Sequence, residues 1–440
     1  DGGNVMSDGS DARTRRPSGV LAYAVVTGAY WAFMLTDGAL RMLVLLHFHT
    51  LGFSPVQIAY LFLLYEFMGV VTNLSAGWIA ARFGMTATLY AGLGLQIVGL
   101  VALTQLDPAW SLWVSVAFVM GLQGLAGIAK DLTKMSSKSA VKVLVPADAQ
   151  GQLFKWVARL TGSKNAVKGL GFLLGAGFLA LAGFDAALFG MAGVLAAILI
   201  AAVASMPAGL PRGRKGVPFS AVFSKDARVN LLSAARLFLF GARDVWFVVG
   251  IPIYFYEVLQ RTAGATSREA FLWVGGFMAV WIVGYGIVQT LAPRVLRAEG
   301  RSLVETAGLT RGWVAALTAI PAALAVATLL SGGPSPWLTA VLIAGLLAFG
   351  VVFAVNSSLH SYLILAFSER ERVTMDVGFY YMSNAAGRLV GTLLSGLSYQ
   401  FVGLAGCLAT AAVMAGLSWL WAGVLAKRAS FQGVAATAES

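Results

Sequence analysis

The feature that most constrains this chain is a series of long runs without a charged residue. Residues 312–367 contain no Lys, Arg, Asp or Glu, and neither do residues 389–426. A helix needs about 20 apolar residues to cross the roughly 30 Å hydrocarbon core of a bilayer. The chain is 58% hydrophobic and 11% charged, whereas about 25% of residues are charged in a soluble protein. It is therefore predicted to be an integral membrane protein.

Turn-forming residues divide these runs into separate helices. The run 312–367 contains the cluster SGGPSP at 331–336 and is therefore expected to form two helices. The same reasoning predicts an all-α fold with twelve transmembrane helices, and the continuously apolar runs exclude a β-barrel, whose strands alternate. The predicted spans cover residues 19–49, 54–81, 86–106, 109–134, 152–183, 185–206, 229–258, 270–295, 309–330, 336–366, 372–401 and 403–426.

Basic residues are distributed unequally between the two sides of the predicted bundle. An even number of spans places both termini on one side, and most Lys and Arg residues outside the spans lie there. Only Arg261 and Arg268 lie at the opposite ends. The positive-inside rule therefore predicts that both termini are cytoplasmic. We expect no cleavable signal peptide, because residues 1–19 are mostly polar.

The longest polar connection lies near the middle of the chain. Residues 206–230 contain three prolines and five basic residues. Within them Phe219, Val222 and Phe223 share one helical face, which predicts an interfacial helix. The predicted units are a disordered cytoplasmic N-terminus at 1–18 (with 1–5, before Met6, a cloning remnant), six-helix bundles at 19–206 and 229–426, a linker at 207–228 and a cytoplasmic tail at 427–440.

The two halves resemble copies of one another. Segments 163–174 and 383–394 align with five identities, which places Lys168 over Arg388. With a similar offset, Asp37 of span 1 lies over Asp244 of span 7. Spans 1 and 5 thus correspond to spans 7 and 11. This arrangement is the parallel repeat of major facilitator transporters.

A loop motif strengthens that resemblance. Residues 77–84 (GWIAARFG) resemble the cytoplasmic loop motif of the superfamily and keep its two glycines, Ala80 and Arg82. Ala81 stands where aspartate is usual, and Met85 where a basic residue is usual, so the charge contacts of that motif are not expected here. With the spans and the repeat, the resemblance implies a major facilitator fold of two six-helix bundles related by pseudo-twofold symmetry.

Seven basic residues lie more than five residues from the ends of the predicted spans, where each costs roughly 2.5–3.5 kcal/mol at a helix centre. Only Asp37, Glu66 and Asp244 lie comparably deep. At least four cations therefore lack a carboxylate, and an anionic ligand would supply the missing partners. The alternative is a purely structural network. The seven are Arg41, Arg159, Lys164, Lys168, Arg236, Arg243 and Arg388.

Depth separates these cations into two groups. At about 1.5 Å per residue, Lys164, Arg243 and Arg388 lie near mid-membrane, where transporters form sites between their halves. Arginine forks and lysine point charges suit phosphate-like oxyanions and carboxylates. The predicted substrate-binding residues are Arg41, Lys164, Lys168, Arg243 and Arg388. An access route or secondary contacts are predicted for Lys130, Lys134, Arg159, Arg236, Asn356 and His360.

Four lysines, 130, 134, 138 and 142, recur every four residues at the end of span 4 and form one stripe. They are expected either to anchor the helix on anionic lipid headgroups or to attract anions into a cavity. For the carboxylates we predict proton coupling or gating by Asp37, Glu66 and Asp244. Asp37 is expected to pair with Arg41 on its own helix or to gate it, and Asp244 to pair across helices.

Glu66 is the first candidate for proton coupling, since burial favours the protonated form of a carboxyl group. The alternative is a structural hydrogen bond. We expect no enzyme activity, cofactor or metal site. The chain has one cysteine and three histidines without metal-ligand spacing, and it lacks a Gly-rich phosphate-binding loop.

Four strings resemble one branch of the superfamily. They are YWAFMLTDGALR at 30–41, GIAKDLTKM at 127–135, LTGSKNAVKG at 160–169 and AARLFLFGARDVW at 234–246. They are similar to the organoarsenical efflux permeases of the ArsJ family, from bacterial arsenic-resistance operons. The resemblance implies export of 1-arseno-3-phosphoglycerate from the bacterial inner membrane, with a functional link to a glyceraldehyde-3-phosphate dehydrogenase.

Two other functions stay open at this point. An organophosphate/phosphate antiporter, or another carrier of organic anions, would need the same cations. A lipid flippase or a non-transporting sensor is a more distant alternative. In every case the partners expected are the bilayer and, for a carrier, a small anionic phosphate or arsenate ester. We expect a monomer that does not bind nucleic acid.

Overall fold

The computed structural model describes residues 9–144, 150–207, 224–296, 301–368 and 373–438. These ranges form helices joined by short turns and contain no β-strand. The helices are α1 (Gly9–Thr50), α2 (Pro55–Leu74), α3 (Ala76–Leu103), α4 (Leu112–Leu144), α5 (Gln150–Leu181), α6 (Phe184–Ser205), α7 (Ala227–Ala263), α8 (Ser267–Val295), α9 (Leu303–Leu330), α10 (Pro336–Phe367), α11 (373–402) and α12 (404–438).

The described residues contain ten segments that are long and apolar enough to cross a membrane. Helix α5, which carries four basic residues, is not one of them. One of the ten runs from Asp376 to Ala429 and is far longer than the roughly 20 residues of a single crossing. It bends at Gly403, whose φ of 74° suits a residue without a Cβ. Counting α5 and dividing this segment gives the twelve predicted spans.

Local signals explain several helix ends. Ser54, Thr266 and Ser302 each cap a helix, and in each case the residue three positions later, Gln57, Glu269 or Glu305, completes a capping box. Gly84, the last residue of the loop motif, has φ 78° and bends α3 near its start. The motif glycine therefore marks a turn that a residue with a Cβ would strain.

Helix α7 contains one wide turn. Residues Trp246–Gly250 form a π-helical turn immediately before Pro252, because proline cannot donate the backbone hydrogen bond of a regular helix. The Oγ of Ser395 on α11 accepts hydrogen bonds from the backbone N–H groups of Val249 and Gly250, at 3.1 and 3.2 Å. The irregular turn is thus tied to the neighbouring helix.

Both ends of the chain differ from the predicted units. Helix α1 begins at Gly9, so residues 9–18 are helical rather than disordered, and α12 continues through the predicted tail to Ala438. A helix satisfies its own backbone hydrogen bonds in either medium and can therefore continue beyond the apolar span. Residues 1–8 and 208–223, with most of the predicted linker helix, lie outside the described residues.

The two halves repeat the same helix packing. Helix α5 lies against α1 at Gly171 and Gly175, where an added Cβ would collide with the backbone of Leu35 and Ala39. Helix α11 lies against α7 in the same way at Gly387 and Gly391. Glycine allows this close approach between membrane helices.

The halves meet along two helix pairs. Helix α2 contacts α11, where Val56 N–H donates to Gln400 Oε1 at 3.2 Å. Helix α5 contacts α8, where Asn165 Nδ2 donates to Gln289 Oε1 at 3.0 Å. Large apolar side chains cover the outer surface, among them Leu330, which is 80% exposed. Such a surface is suited to lipid rather than water.

Replacing Gly175 by Ala tests the close packing of α5 on α1. The added methyl group would meet the Ala39 backbone, so we expect a loss of about 1–3 kcal/mol of stability. Gly94→Ala is the matched control, since nothing lies within 4 Å of its Cβ position, and it should be neutral or stabilising by up to about 1 kcal/mol. Thermal unfolding of both purified variants measures the difference, and equal melting temperatures would contradict the packing.

Candidate functional site

A cavity of about 160 Å³ lies between the two halves. Residues from α1, α2, α4 and α5 line it on one side, and residues from α7, α8, α10 and α11 on the other. Its volume is below the roughly 300–1,000 Å³ typical of pockets for drug-sized ligands, so it suits a small ligand. The basic residues in its lining are Arg41, Lys130, Lys134, Lys138, Lys164, Lys168, Arg236, Arg243 and Arg388.

Equivalent ion pairs join the first and fifth helix of each half. Lys168 Nζ on α5 lies 2.5 Å from Asp37 Oδ2 on α1. Arg388 Nε on α11 lies 3.4 Å from Asp244 Oδ2 on α7. The sequence repeat aligns Lys168 with Arg388 and Asp37 with Asp244. The pairing therefore repeats with the fold.

Glu66 connects the two halves. It does not belong to the two equivalent ion pairs, Lys168–Asp37 and Arg388–Asp244. Its Oε1 accepts hydrogen bonds from Arg41 Nη2 at 2.7 Å and from Arg388 Nη2 at 2.6 Å. Arg41 belongs to the N-terminal half and Arg388 to the C-terminal half. Glu66 is fully buried, and its Oε2 has no hydrogen-bond partner. Two guanidinium groups, one from each half, therefore share one carboxylate oxygen.

The expected pairing of Asp37 with Arg41 on one helix is wrong. Asp37 instead accepts from Lys168 and from the Tyr65 hydroxyl, at 2.7 Å for the latter, while Arg41 points to Glu66. Asp244 does pair across helices with Arg388, as expected, but it also contacts its neighbour Arg243 at 2.5 Å. A separation of four residues on one helix would allow Asp37 and Arg41 to pair. The packing of α5 and α2 against α1 instead gives each of them a partner on another helix.

Asp131 was missed as a buried carboxylate. It follows the charge-free run 108–129 and Lys130, and this position suggested the membrane boundary rather than the interior. The structure buries it completely. It accepts from Thr72 Oγ1 at 2.6 Å and from Asn73 Nδ2 at 3.2 Å, and Lys134 Nζ lies 2.8 Å away. Lys134 also donates to Asn73, so these four residues form one polar network.

Three lysines of the stripe face the cavity. Lys130, Lys134 and Lys138 all line it, so of the two alternatives these three fit the attraction of anions into a cavity rather than anchorage on lipid headgroups. Lys130 lies over the ring of Tyr65 at 4.3 Å and Lys138 over that of Tyr381 at 4.0 Å. Lys130, Lys134 and Lys138 thus lie on the face of α4 that packs towards the interior of the bundle. The side chain of Lys142 lies outside the described residues.

Lys164 is the predicted binding residue with the fewest partners. It lines the cavity on α5 and forms no hydrogen bond or ion pair among the residues that the structure describes. Lys134, Lys168 and Lys138 line the same cavity, and their positive charges repel that of Lys164. An ammonium group in such surroundings favours an anion beside it.

Of the other predicted residues, some line the cavity and others lie outside its lining. Arg236 lines the cavity and donates from Nη1 to Ser357 Oγ at 3.1 Å. Asn356 and His360 are fully buried but not in the lining. The side chain of Arg159 lies outside the described residues. All five predicted substrate-binding residues line this one cavity.

Counting formal charges shows an excess of cations. The nine basic residues in the lining face two carboxylates there, Asp131 and Asp244, and two behind it, Asp37 and Glu66. Nine minus four leaves five positive charges among the described residues. Arg41, Lys134, Lys168, Arg243 and Arg388 have carboxylate partners. Lys130, Lys164 and Arg236 have none among the described residues, so the excess lies mainly there.

Aromatic side chains close the end of the cavity away from the chain termini. Phe172 and Phe247, one from each half, line the cavity with ring centroids 6.0 Å apart. Behind Phe247 lie Trp246 and Trp281, both fully buried, at 5.5 and 4.9 Å from its ring. This arrangement leaves the charged groups between an aromatic layer and the terminal side of the bundle.

Metal ligation is not indicated in the part of the chain that the structure describes. No group of three His, Cys, Asp or Glu side chains could hold a metal ion there. Cys407 is buried and accepts from Ser398 Oγ at 3.3 Å.

Comparisons with solved structures show the fold. The nucleoside transporter NupG, as a D323A mutant, is 15% identical, with a TM-score of 0.67 over 92% of this chain and 98% of its own. A POT family transporter, in complex with a thioalcohol-conjugated peptide, is 14% identical, with a TM-score of 0.71 over 92% of this chain and 96% of its own. The predicted major facilitator fold is confirmed.

Sequence comparisons add no closer relationship. No protein-family model matches the chain, and no curated protein matches it either. The function must therefore be argued from the cavity.

Removing the carboxylate of Asp37 tests whether the paired charges depend on one another. Asp37→Asn would leave Lys168, whose side chain is 14% exposed, without its carboxylate, and we expect a loss of about 3–5 kcal/mol. The double variant Asp37→Asn, Lys168→Met should recover most of that loss. Thermal unfolding measures it, with the exposed Asp185→Asn as control. A double variant no more stable than Asp37→Asn would contradict the pairing.

Proposed function

We propose that this protein is a secondary transporter that carries a small organic anion across a bacterial inner membrane by alternating access. The observation that carries the proposal is the excess of five positive charges around a cavity between the two halves. Charges within a membrane protein are costly and mark ligand sites when no protein group neutralises them. An anion of several negative charges would neutralise the cavity.

The proposed substrate is 1-arseno-3-phosphoglycerate, and the proposed direction is export that confers arsenate resistance. The support comes from the four sequence strings that resemble ArsJ permeases. These strings contain seven of the nine basic residues in the cavity lining, all except Lys138 and Arg388. A substrate with a phosphate at one end and an acyl arsenate at the other carries enough negative charge for such a cavity.

Glu66 stays the proposed coupling residue, with Asp37 and Asp244 as partners in gating. It connects Arg41 with Arg388, so an anion that bound both arginines would compete with it. A carboxylate displaced from its cations into a buried position favours its protonated form. Substrate binding and protonation of Glu66 would then support one another. An organophosphate/phosphate antiporter would use the same cations, and the transport assay distinguishes it.

Transport in proteoliposomes tests the proposed substrate. The external medium would contain glyceraldehyde-3-phosphate dehydrogenase, NAD, arsenate and ³²P-labelled glyceraldehyde 3-phosphate, so that the ester forms beside the vesicles. We expect the label to accumulate inside only when both arsenate and the dehydrogenase are present. Lys164→Gln should reduce the initial rate at least about tenfold, because it removes a charge-assisted contact. An imposed pH gradient tests the coupling.

The controls separate the alternatives. Arg261→Gln removes an exposed charge at the opposite end of the bundle and should transport normally. Uptake of labelled 3-phosphoglycerate driven by internal phosphate, with no effect of arsenate, would favour the antiporter. Full transport by Lys164→Gln would show that the charged cavity does not bind the substrate.

A further inference from the structure

Arg236 on α7 is a buried cation without a carboxylate partner. It is 3% exposed, and none of the ion pairs among the described residues includes it. Its guanidinium group lies over the rings of Phe240 and Tyr380, at 4.1 and 4.9 Å. Ring faces and the oxygens of Ser357 partly compensate the charge.

Unpartnered polar atoms surround this guanidinium group. The Nε of Arg236 has no hydrogen-bond partner, and neither has the Oγ of Ser233, one turn earlier on the same helix. On α10, His360 lies one turn from Ser357, and both of its ring nitrogens are also without partners. Roughly 90% or more of buried polar groups have a partner. Of Arg236, Ser233 and His360 only Arg236 lines the cavity, so its unpartnered Nε indicates a ligand there that the protein itself does not supply.

Two lysines of the other half complete a cluster at this level. Lys134 and Lys138 on α4 lie over the ring of Tyr381, at 5.3 and 4.0 Å. Tyr381 neighbours Tyr380, which lies beneath Arg236. All three cations line the cavity. We call Arg236, Lys134 and Lys138 the lower cluster. They lie closer to the side of the bundle that carries the chain termini than the cations paired with Asp37, Glu66 and Asp244 do.

The lower cluster is two helical turns from the paired charges. Arg236 and Arg243 are seven residues apart on α7, so they project from the same face at a separation of about 10 Å. Arg243 belongs to the upper network, with Arg41, Lys168 and Arg388 as its other cations. A three-carbon skeleton with an anionic ester group at each end is of this length scale.

We infer that the site binds its ligand at two points, with one anionic end on the lower cluster and the other on the upper network. This inference rests on the proposed function and adds to it a subsite and a selection by length. The lower cluster supplies Arg236, which no carboxylate among the described residues neutralises and whose Nε has no hydrogen-bond partner. The upper network supplies arginines whose carboxylate partners can be replaced. A ligand with one anionic group can occupy only one of the two subsites.

Binding of two stable phosphate esters and one bisphosphonate to the purified full-length protein tests this inference. The probes are propane-1,3-diyl bisphosphate, propyl phosphate and methylenebisphosphonate, whose two anionic groups share one carbon. We expect the propane bisphosphate to bind at least about tenfold more tightly than either other probe, since a second set of charge-assisted hydrogen bonds forms only with it. Titration calorimetry gives the three dissociation constants.

The ratio of affinities for propane bisphosphate and propyl phosphate identifies the subsite. Arg236→Gln should reduce this ratio to about one or two, because both probes then bind through one end. A purely structural role would weaken both probes alike and keep the ratio. Arg228→Gln, which removes a charge at the start of the same helix outside the cavity, is the matched control and should keep it too.

Lys138→Gln provides a second variant in case Arg236→Gln does not fold, and it should also lower the ratio. A ratio near one in the unmodified protein, or an unchanged ratio in both variants, would overturn the two-point inference and leave the proposed transport of anions intact. Failure of all three probes to bind would contradict the proposed function as well.

Discussion

The arrangement of this protein depends on the pairing of charges inside a medium of low dielectric. Water is absent from the bilayer interior, so each buried cation needs a carboxylate, a ring face or a ligand. Lys168 meets Asp37, and Arg388 meets Asp244, at equivalent places in the two halves. The same helices approach one another at glycines. Close packing and charge pairing thus support one another in each half.

Glu66 turns two separate half-bundles into one charged site. By accepting from Arg41 and Arg388 it connects α1 and α2 of one half with α11 of the other. In the proposed transport cycle the halves move relative to one another, and this contact must be broken or replaced. An anion in the cavity can replace it because it offers the arginines equivalent oxygens. In this cycle the contact of Glu66 with Arg41 and Arg388 would hold the two halves together until the substrate replaced it.

Much of the fold could be predicted because its signals are local. Long apolar runs and turn residues placed α7 and α10 within a few residues of their observed ends. Aligned segments identified the repeat that Lys168 and Arg388 now share. Partners could not be predicted in the same way: Asp37 and Arg41 are neighbours on a helix face, yet each pairs with another helix. Asp131 was missed because its position in the sequence resembles a membrane boundary.

The sequence by itself determined that the chain spans a membrane, that its halves are copies, and that its interior holds more cations than carboxylates. Those properties follow from composition and spacing along the chain. Only the tertiary structure decided which cations are compensated, because that depends on which helix faces meet. It paired four of the five predicted substrate-binding residues with carboxylates and left Lys164 and Arg236 without one in the part of the chain that the structure describes. It also turned the lysines of α4 towards the cavity, where the excess charge lies.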